Sequence, residues 1–154
     1  MEVISDLTLR PASRGDKEEW LALWNRYLVF YEADIPPAVT AETWERFLNS
    51  DELVGCVIAW NGDVAVGFAT HVQHRSTWST GDYLYLEDLF VDASSRGHGV
   101  GGKLIRFLYD LAARNQCSQV YWLTHETNAN AMRLYDHIGG RSGFVHYKKN
   151  IESQ

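Results

Sequence analysis

Apolar residues in the N-terminal third recur at helical spacing: Trp20, Leu23, Trp24, Tyr27, Leu28 and Tyr31 form one stripe, and Trp44, Phe47 and Leu48 form another. Asp16, followed by Glu19, predicts a capping box for the first helix. Pro36 and Pro37 break the chain, and Thr40 predicts the cap of a second helix over about residues 41–49. A short strand is expected at 7–11 ahead of them. The period then changes to that of strands: residues 53–60 and 64–72 read as two strands joined across Asn61-Gly62, a hairpin signal in which both central residues take positive φ. A longer strand is expected over 83–91, with Glu87 and Asp88 in its interior. A helix follows with Leu104, Ile105, Leu108, Leu111 and Ala112 on one side, then a strand over 119–124. The pattern closes with a helix over about 128–138, a Gly139-Gly140 stop and a last strand over 143–149. The antiparallel middle and the β-α-β end predict a single α/β domain with a mixed, largely antiparallel central sheet flanked by helices.

Composition narrows this picture by exclusion. The chain has 154 residues, 45% hydrophobic and 22% charged, the proportions of one ordinary globular domain. A net charge of -6 lacks the basic stripe that nucleic acid demands and suits a cationic ligand better. No apolar run is long enough for a membrane span and the N-terminus shows no secretory pattern, so a cytoplasmic protein without membrane contact is expected. Cys56 and Cys117 fit neither a disulfide framework nor a zinc spacing, and the six histidines converge on no metal site, so no metal is expected.

The stretch Arg96-Gly97-His98-Gly99-Val100-Gly101-Gly102-Lys103 follows a strand and opens a helix. Backbone N–H groups and the helix dipole converge there on an anion-sized volume, so a phosphate is its natural guest. Three patterns overlap. Gly97, Gly102 and Lys103 begin a Walker A motif, but Leu104 stands where a magnesium-binding hydroxyl belongs. Gly97, Gly99 and Gly102 also satisfy the dinucleotide fingerprint, with Glu126 near the ribose-binding position. Against that reading, the feeding strand carries two adjacent carboxylates, whereas strands of a doubly wound sheet are near-continuous apolar runs.

In the third pattern Arg96, Gly99 and Gly101 form R-x-x-G-x-G. Together with L-E-D-L-F-V at 86–91 and the N-x-x-A-x-x-L-Y of Asn128, Ala131, Leu134 and Tyr135, the sequence resembles the GCN5-related N-acetyltransferase superfamily. The resemblance spans about 83–140 and is greatest to the spermidine/spermine and thialysine group. It implies an enzyme that moves acetyl from acetyl-CoA to a primary amine by direct attack. It further implies a coenzyme-binding half at about 83–149, with Leu89, Phe90, Val91, the loop from Arg96 through Gly97, His98, Gly99, Val100, Gly101 and Gly102 to Lys103, and Asn128, Ala131 and Tyr135 as contacts. An acceptor-binding part would occupy about 1–75. A bulge in the 83–91 strand is implied, freeing N–H groups near Leu89 and Val91. Tyr135 would protonate the leaving thiolate and Glu87 would serve the amine as acid/base. Without the resemblance, Tyr135 reads as a core aromatic and Glu87 as a structural carboxylate. An acetyltransferase of protein lysine, or an acetyl-CoA-binding module without turnover, is the alternative reading.

The acceptor presents a protonation problem, because an alkylamine of pKa about 10.4 must lose its proton at a cost of about 4.6 kcal/mol at neutral pH. Alternation is expected to send Glu87 and Asp88 to opposite faces, leaving one of them beside the substrate. Phe30-Tyr31-Glu32-Ala33-Asp34 combines rings and acids that suit a methylene chain with ammonium ends, which makes Tyr31, Glu32 and Asp34 acceptor candidates alongside Glu87 and Asp88. A homodimer is expected from the resemblance and from Trp20, Trp24, Tyr27, Phe30 and Tyr31, more aromatic surface than one helix face buries.

Overall fold

The computed structural model describes residue 4 and residues 6–152. By its contacts the chain divides into two units, Met1–Leu123 and Thr124–Gln154. The first contains β1 (Leu7–Pro11), α1 (Lys17–Phe30), α2 (Pro37–Leu48), β2 (Val54–Asn61), β3 (Val64–His74), β4 (Tyr83–Val91), α3 (Val100–Arg114) and β5 (Gln119–Trp122). The second holds α4 (Ala129–Ile138).

The five strands lie in the order β1-β2-β3-β4-β5. Neighbours are antiparallel from β1 to β4, and β4 with β5 is parallel. A parallel pair cannot be closed by a tight turn, which is why α3 serves as the crossover between them. The sheet is therefore mixed and largely antiparallel, as the sequence pattern predicts. Its hairpin turn sits one residue later than expected: Asn61 pairs with both Leu7 and Val64, so the loop is Gly62-Asp63. Only Gly62 takes a positive φ, 60°, the arrangement of a turn with glycine at its first central position.

Two helix starts also differ from the sequence reading. The Asp16 carboxylate makes no cap bond to α1. It is held instead by Arg10 Nη1 at 2.7 Å and Nη2 at 3.1 Å, and by the N–H and Oγ of Ser13, each at 2.9 Å. α2 begins at Pro37, where a missing N–H costs nothing, and Thr40 lies inside the helix. There its Oγ1 accepts Trp24 Nε1–H at 3.2 Å.

Side chains fill both faces of the sheet. On one, Trp20 lies against Trp24 and Trp44 with ring centroids 5.2 and 5.3 Å apart, over Phe68 and Phe90. On the other, Leu84 and Leu86 of β4 meet the buried Leu104, Ile105, Leu108 and Ala112 of α3. The N-terminal aromatic surplus expected to cover a dimer contact is largely absorbed this way, since Trp20 and Trp24 are buried and only Phe30 and Tyr31 stay exposed. Among the described residues no helix is long and apolar enough to cross a membrane.

In the second unit, Ala131, Met132, Leu134, Tyr135 and Ile138 are the half-buried stripe of α4. The expected last strand over 143–149 does not form. Phe144, Val145 and Tyr147 are exposed at 81%, 76% and 90%. An alternating pattern becomes a strand only beside an edge that can share its backbone hydrogen bonds, and no strand is paired with these residues among those described.

Candidate active site

The site is organised by an irregularity in β4. Thr70 pairs with Asp88 and His71 pairs with Leu86, so Glu87 has no partner across the ladder and forms a bulge. Unbroken alternation would put Leu84, Leu86, Asp88 and Phe90 on one face. The extra residue resets it: Leu84 and Leu86 lie under α3, while Asp88 and Phe90 turn to the α1 side. There Asp88 Oδ1 accepts the Tyr27 hydroxyl at 2.6 Å. Thr70 Oγ1 donates to Asp88 Oδ2 at 2.5 Å and accepts the Asp88 N–H at 3.0 Å.

A bulge turns both of its residues to the side of the one residue they oppose, so Glu87 shares the side of Asp88, contrary to the expectation that neighbouring carboxylates point apart. Much of its side chain is exposed, yet burial of its carboxyl, with the Asp88 charge added, pushes its pKa up. The Glu87 charge in turn helps raise the pKa of Tyr27, Tyr85 and Tyr121, after the larger effect of burial on each phenol. Tyr85 and Tyr121 stack with centroids 4.9 Å apart, and the Tyr121 hydroxyl lies 2.7 Å from His74 Nε2. Two acids in a wall of phenols thus face one region, a surface suited to an alkylammonium ion.

The same strand offers free backbone. β4 pairs with β5 only from Tyr83 to Leu86, and beyond Leu86 it is laddered to β3 alone. Asp88 N–H goes to Thr70, and Asp92 N–H goes to Val66 O at 2.8 Å, both toward β3. By the period of two, the N–H groups of Leu89 and Val91 face the opposite edge, where β4 and β5 have separated. On that edge the Val91 carbonyl accepts Arg96 Nε–H at 3.0 Å.

Next in the chain, Gly97 and Gly99 take φ values of 84° and 78°, left-handed conformations that favour glycine. Gly99 is the N-cap of α3, and Lys103 N–H donates to Gly99 O at 3.1 Å. The N–H groups of Val100, Gly101 and Gly102 in the first turn therefore lack intrahelical acceptors and point out of the helix start. Val100 and Gly102 are buried, His98 is half-buried, and Arg96 and Lys103 are exposed. The Arg96 guanidinium lies 5.1 Å from the Phe30 ring, which brings the loop beside the end of α1.

At that end Tyr31 packs its ring 5.0 Å from Tyr27 and so joins the wall that carries Asp88. Glu32, with φ 51°, and Asp34 are exposed, and no hydrogen bond or ion pair among the described residues ties either to Glu87. Tyr27, Thr70, His74, Tyr85 and Tyr121 are not among the site residues expected from sequence. Tyr85 could have been, since it stands two residues before Glu87 on a strand. Cys56 is buried beneath the wall, and burial pushes its thiol well up, away from nucleophilic use.

In the second unit Asn128 stands at the N-cap of α4, its Nδ2 donating to Thr124 Oγ1 at 3.4 Å and its carbonyl accepting Met132 N–H at 3.0 Å. Ala131 and Tyr135 share the half-buried stripe, and the Tyr135 carbonyl accepts Gly139 N–H at 2.8 Å.

Comparison with known proteins agrees with this architecture. The chain is 34% identical over 137 residues to the D-amino-acid N-acetyltransferase HPA3 of Saccharomyces cerevisiae, spanning 88% of this chain and 85% of that protein. It is 36% identical over 80 residues to a thialysine N-epsilon-acetyltransferase of Sus scrofa, covering 52% of this chain and 46% of that protein. A solved aminoglycoside acetyltransferase from an uncultured soil metagenomic sample shares the fold with a TM-score of 0.83 at 19% identity, over 98% of this chain and all (100%) of that one. AAC(6')-Iy, solved with a CoA-containing bisubstrate analog, superposes with a TM-score of 0.81 at 21% identity over 96% of this chain and 100% of that one. The acetyltransferase (GNAT) family matches residues 17–139, and with the relative alignable over most of its length this chain belongs to that family as an N-acetyltransferase.

Proposed function

We propose that this acetyltransferase moves the acetyl group of acetyl-CoA to the primary amine of a small cationic acceptor, such as a polyamine or a lysine-like compound, by direct attack. The observation that carries the proposal is the bulge at Glu87, which puts two carboxylates and the phenols of Tyr27, Tyr85 and Tyr121 on one side of β4 beside a stretch of unladdered backbone. The residues present suit the coenzyme: outward N–H groups at the start of α3 fit pyrophosphate oxygens, and the free edge of β4 fits an amide-bearing arm. Acetyl-CoA, when bound, supplies an activated thioester.

Each residue then has a definite task. The acidic wall attracts the ammonium ion, and Glu87, with its raised pKa, accepts the proton directly or through water, offsetting part of the cost of about 4.6 kcal/mol. N–H groups at Leu89 and Val91 can hold a carbonyl oxygen as it gains negative charge; one such donor contributes a factor of about 100 to 1,000 in rate. Tyr135, in the motif with Asn128 and Ala131, returns a proton to the departing sulfur.

A second reading follows from the yeast relative, whose name gives D-amino acids as its acceptors. An amino acid brings a carboxylate that needs a cationic partner, yet Arg26 is paired with Asp92 at 2.6 Å and Arg96 is bonded to Val91. These contacts support a polycation over an α-amino acid. The test is thiol release from acetyl-CoA with spermidine, a diamine, thialysine and a D-amino acid. Highest kcat/KM for a multiply charged amine supports the proposal, preference for the D-amino acid selects the second reading, and acetyl-CoA binding without thiol release from any acceptor overturns catalysis.

A further inference from the structure

The phenolic wall contains a histidine whose two ring nitrogens are both engaged. His74, the last residue of β3, stands opposite Tyr83 in the ladder, and Tyr85 stands opposite Tyr121. The rings of His74 and Tyr121 lie 5.7 Å apart, and Tyr83 meets them at 5.9 and 6.2 Å. The strand ends that carry these rings are tied together through Asp82. Its carboxylate accepts Gln73 Nε2–H at 2.9 Å and lies 3.7 Å from Arg75 Nη1, while its carbonyl accepts Ser118 N–H at 2.9 Å. The group is thus held from β3, β4 and the start of β5 at once.

Its polarity follows from one carbonyl. His74 Nδ1 lies 2.8 Å from the Arg75 carbonyl oxygen, which has lone pairs and no hydrogen, so Nδ1 carries the ring proton and donates it. Neutral imidazole has a single N–H, so Nε2 is bare and can only accept. The Tyr121 hydroxyl, 2.7 Å away, therefore donates to Nε2. Burial and the Glu87 charge raise the pKa of this phenol, so it keeps a hydrogen to give. With that hydrogen committed, the oxygen offers only lone pairs to any other group. Its place in the sheet gives this a consequence. Tyr121 stacks on Tyr85, two residues before Glu87, just short of the point where β4 and β5 part beyond Leu86. An oxygen with only lone pairs beside an acidic wall receives N–H donors and repels anions.

We propose that His74 determines the charge specificity of the acceptor site: by holding the Tyr121 hydrogen it turns Tyr121 into a hydrogen-bond acceptor toward the substrate, so that an ammonium group is taken and a carboxylate is refused. His74 is a positioning residue in this role and acts through Tyr121. The inference rests on the assignment of this wall to a cationic acceptor and adds the device that enforces it.

Two measurements test it. Nitrogen NMR of the imidazole rings in mildly alkaline buffer, with the His74 signals identified by their loss in His74→Gln, reads where the proton sits. A protonated Nδ1 and a bare Nε2 are expected. Thiol release from acetyl-CoA then compares a linear diamine with the ω-amino acid of the same chain length, in which a carboxylate replaces one ammonium. In His74→Phe the ring packing stays, but the Tyr121 hydroxyl is free to rotate and donate. The ratio of kcat/KM for the diamine over the amino acid should therefore fall by about 10-fold, carried by KM. His74→Gln should restore the ratio, because its side-chain carbonyl reaches the position of Nε2 and accepts the same hydrogen. In a Tyr121→Phe background, His74→Phe should leave the ratio unmoved. A proton on Nε2 in the wild type overturns the inference whether or not the Phe variant folds. So does a wild-type ratio in His74→Phe, a kcat lowered alike for both substrates, or an effect of His74→Phe that persists without the Tyr121 hydroxyl. Absence of turnover with every cationic amine sinks the acceptor reading and this one with it, whereas diamine turnover with an unmoved ratio sinks only this one.

Discussion

Replacing Tyr27 with Phe tests the anchoring of the acidic wall. The ring contacts of Tyr27 with Trp24, Phe68, Phe90 and Tyr31, at centroid distances of 5.3, 5.7, 6.0 and 5.0 Å, survive the change. What disappears is one hydroxyl, donated over 2.6 Å to Asp88 Oδ1. A hydrogen bond to a charged group contributes about 1.5–3 kcal/mol, and at about 2–4 °C per kcal/mol for a chain of this size Tm should fall by about 3–12 °C. Thr70 still holds the other carboxylate oxygen, so the protein should remain folded at 25 °C. In an Asp88→Ala background the same Tyr27→Phe change should cost about 0.5 kcal/mol or less, because the partner is already gone. Scanning calorimetry on the four proteins of this cycle measures the coupling, and initial rates should show KM for the amine rising more than KM for acetyl-CoA. An unchanged Tm, or an equal loss with and without Asp88, would refute the reasoning.

Four further outcomes follow from the geometry. Activity that needs the Glu87 carboxylate should rise as pH climbs through its elevated pKa; Glu87→Gln should remove that limb from the pH profile of kcat/KM, and Asp88→Asn should move it to lower pH, while an unmoved limb would exclude Asp88 as its neighbour. Gly101→Asp should abolish acetyl-CoA binding by calorimetry, since it puts a carboxylate among the outward N–H groups of α3, and retained affinity in a folded variant would remove the loop from the site. Tyr135→Phe should lower turnover by about 10- to 1,000-fold at nearly constant stability, and wild-type turnover would return Tyr135 to a packing role. The folded pKa of Asp16 is depressed, chiefly by its hydrogen bonds from Arg10, so its contribution is present above the unfolded value of about 3.9 and lost as pH falls through the folded one. Asp16→Asn should therefore cost about 1–3 kcal/mol at pH 7 and progressively less in acid, as denaturant titrations at several pH values would show.

The amino-acid sequence by itself determined the helices and strands whose residues repeat strongly, because period and local conformation are tied within a few residues. β1 and β4 begin and end where their patterns do, and α3 starts at the glycine loop that its motif marks. The loop's backbone was legible for the same reason: left-handed glycines followed by a helix start form a local geometry. What tertiary structure decided depends on partners far along the chain. Asp16 binds Arg10 of β1 instead of capping its own helix, and the Gly62-Asp63 turn is displaced because Asn61 is held between Leu7 and Val64. The bulge at Glu87 exists only in the register of β4 against β3, so no alternation rule could show that both carboxylates share a side. Tyr27 and Thr70 reach Asp88 from 61 and 18 residues away. Residues 143–149 show the converse limit, since their alternation is that of a strand, yet a strand forms only where another edge meets it.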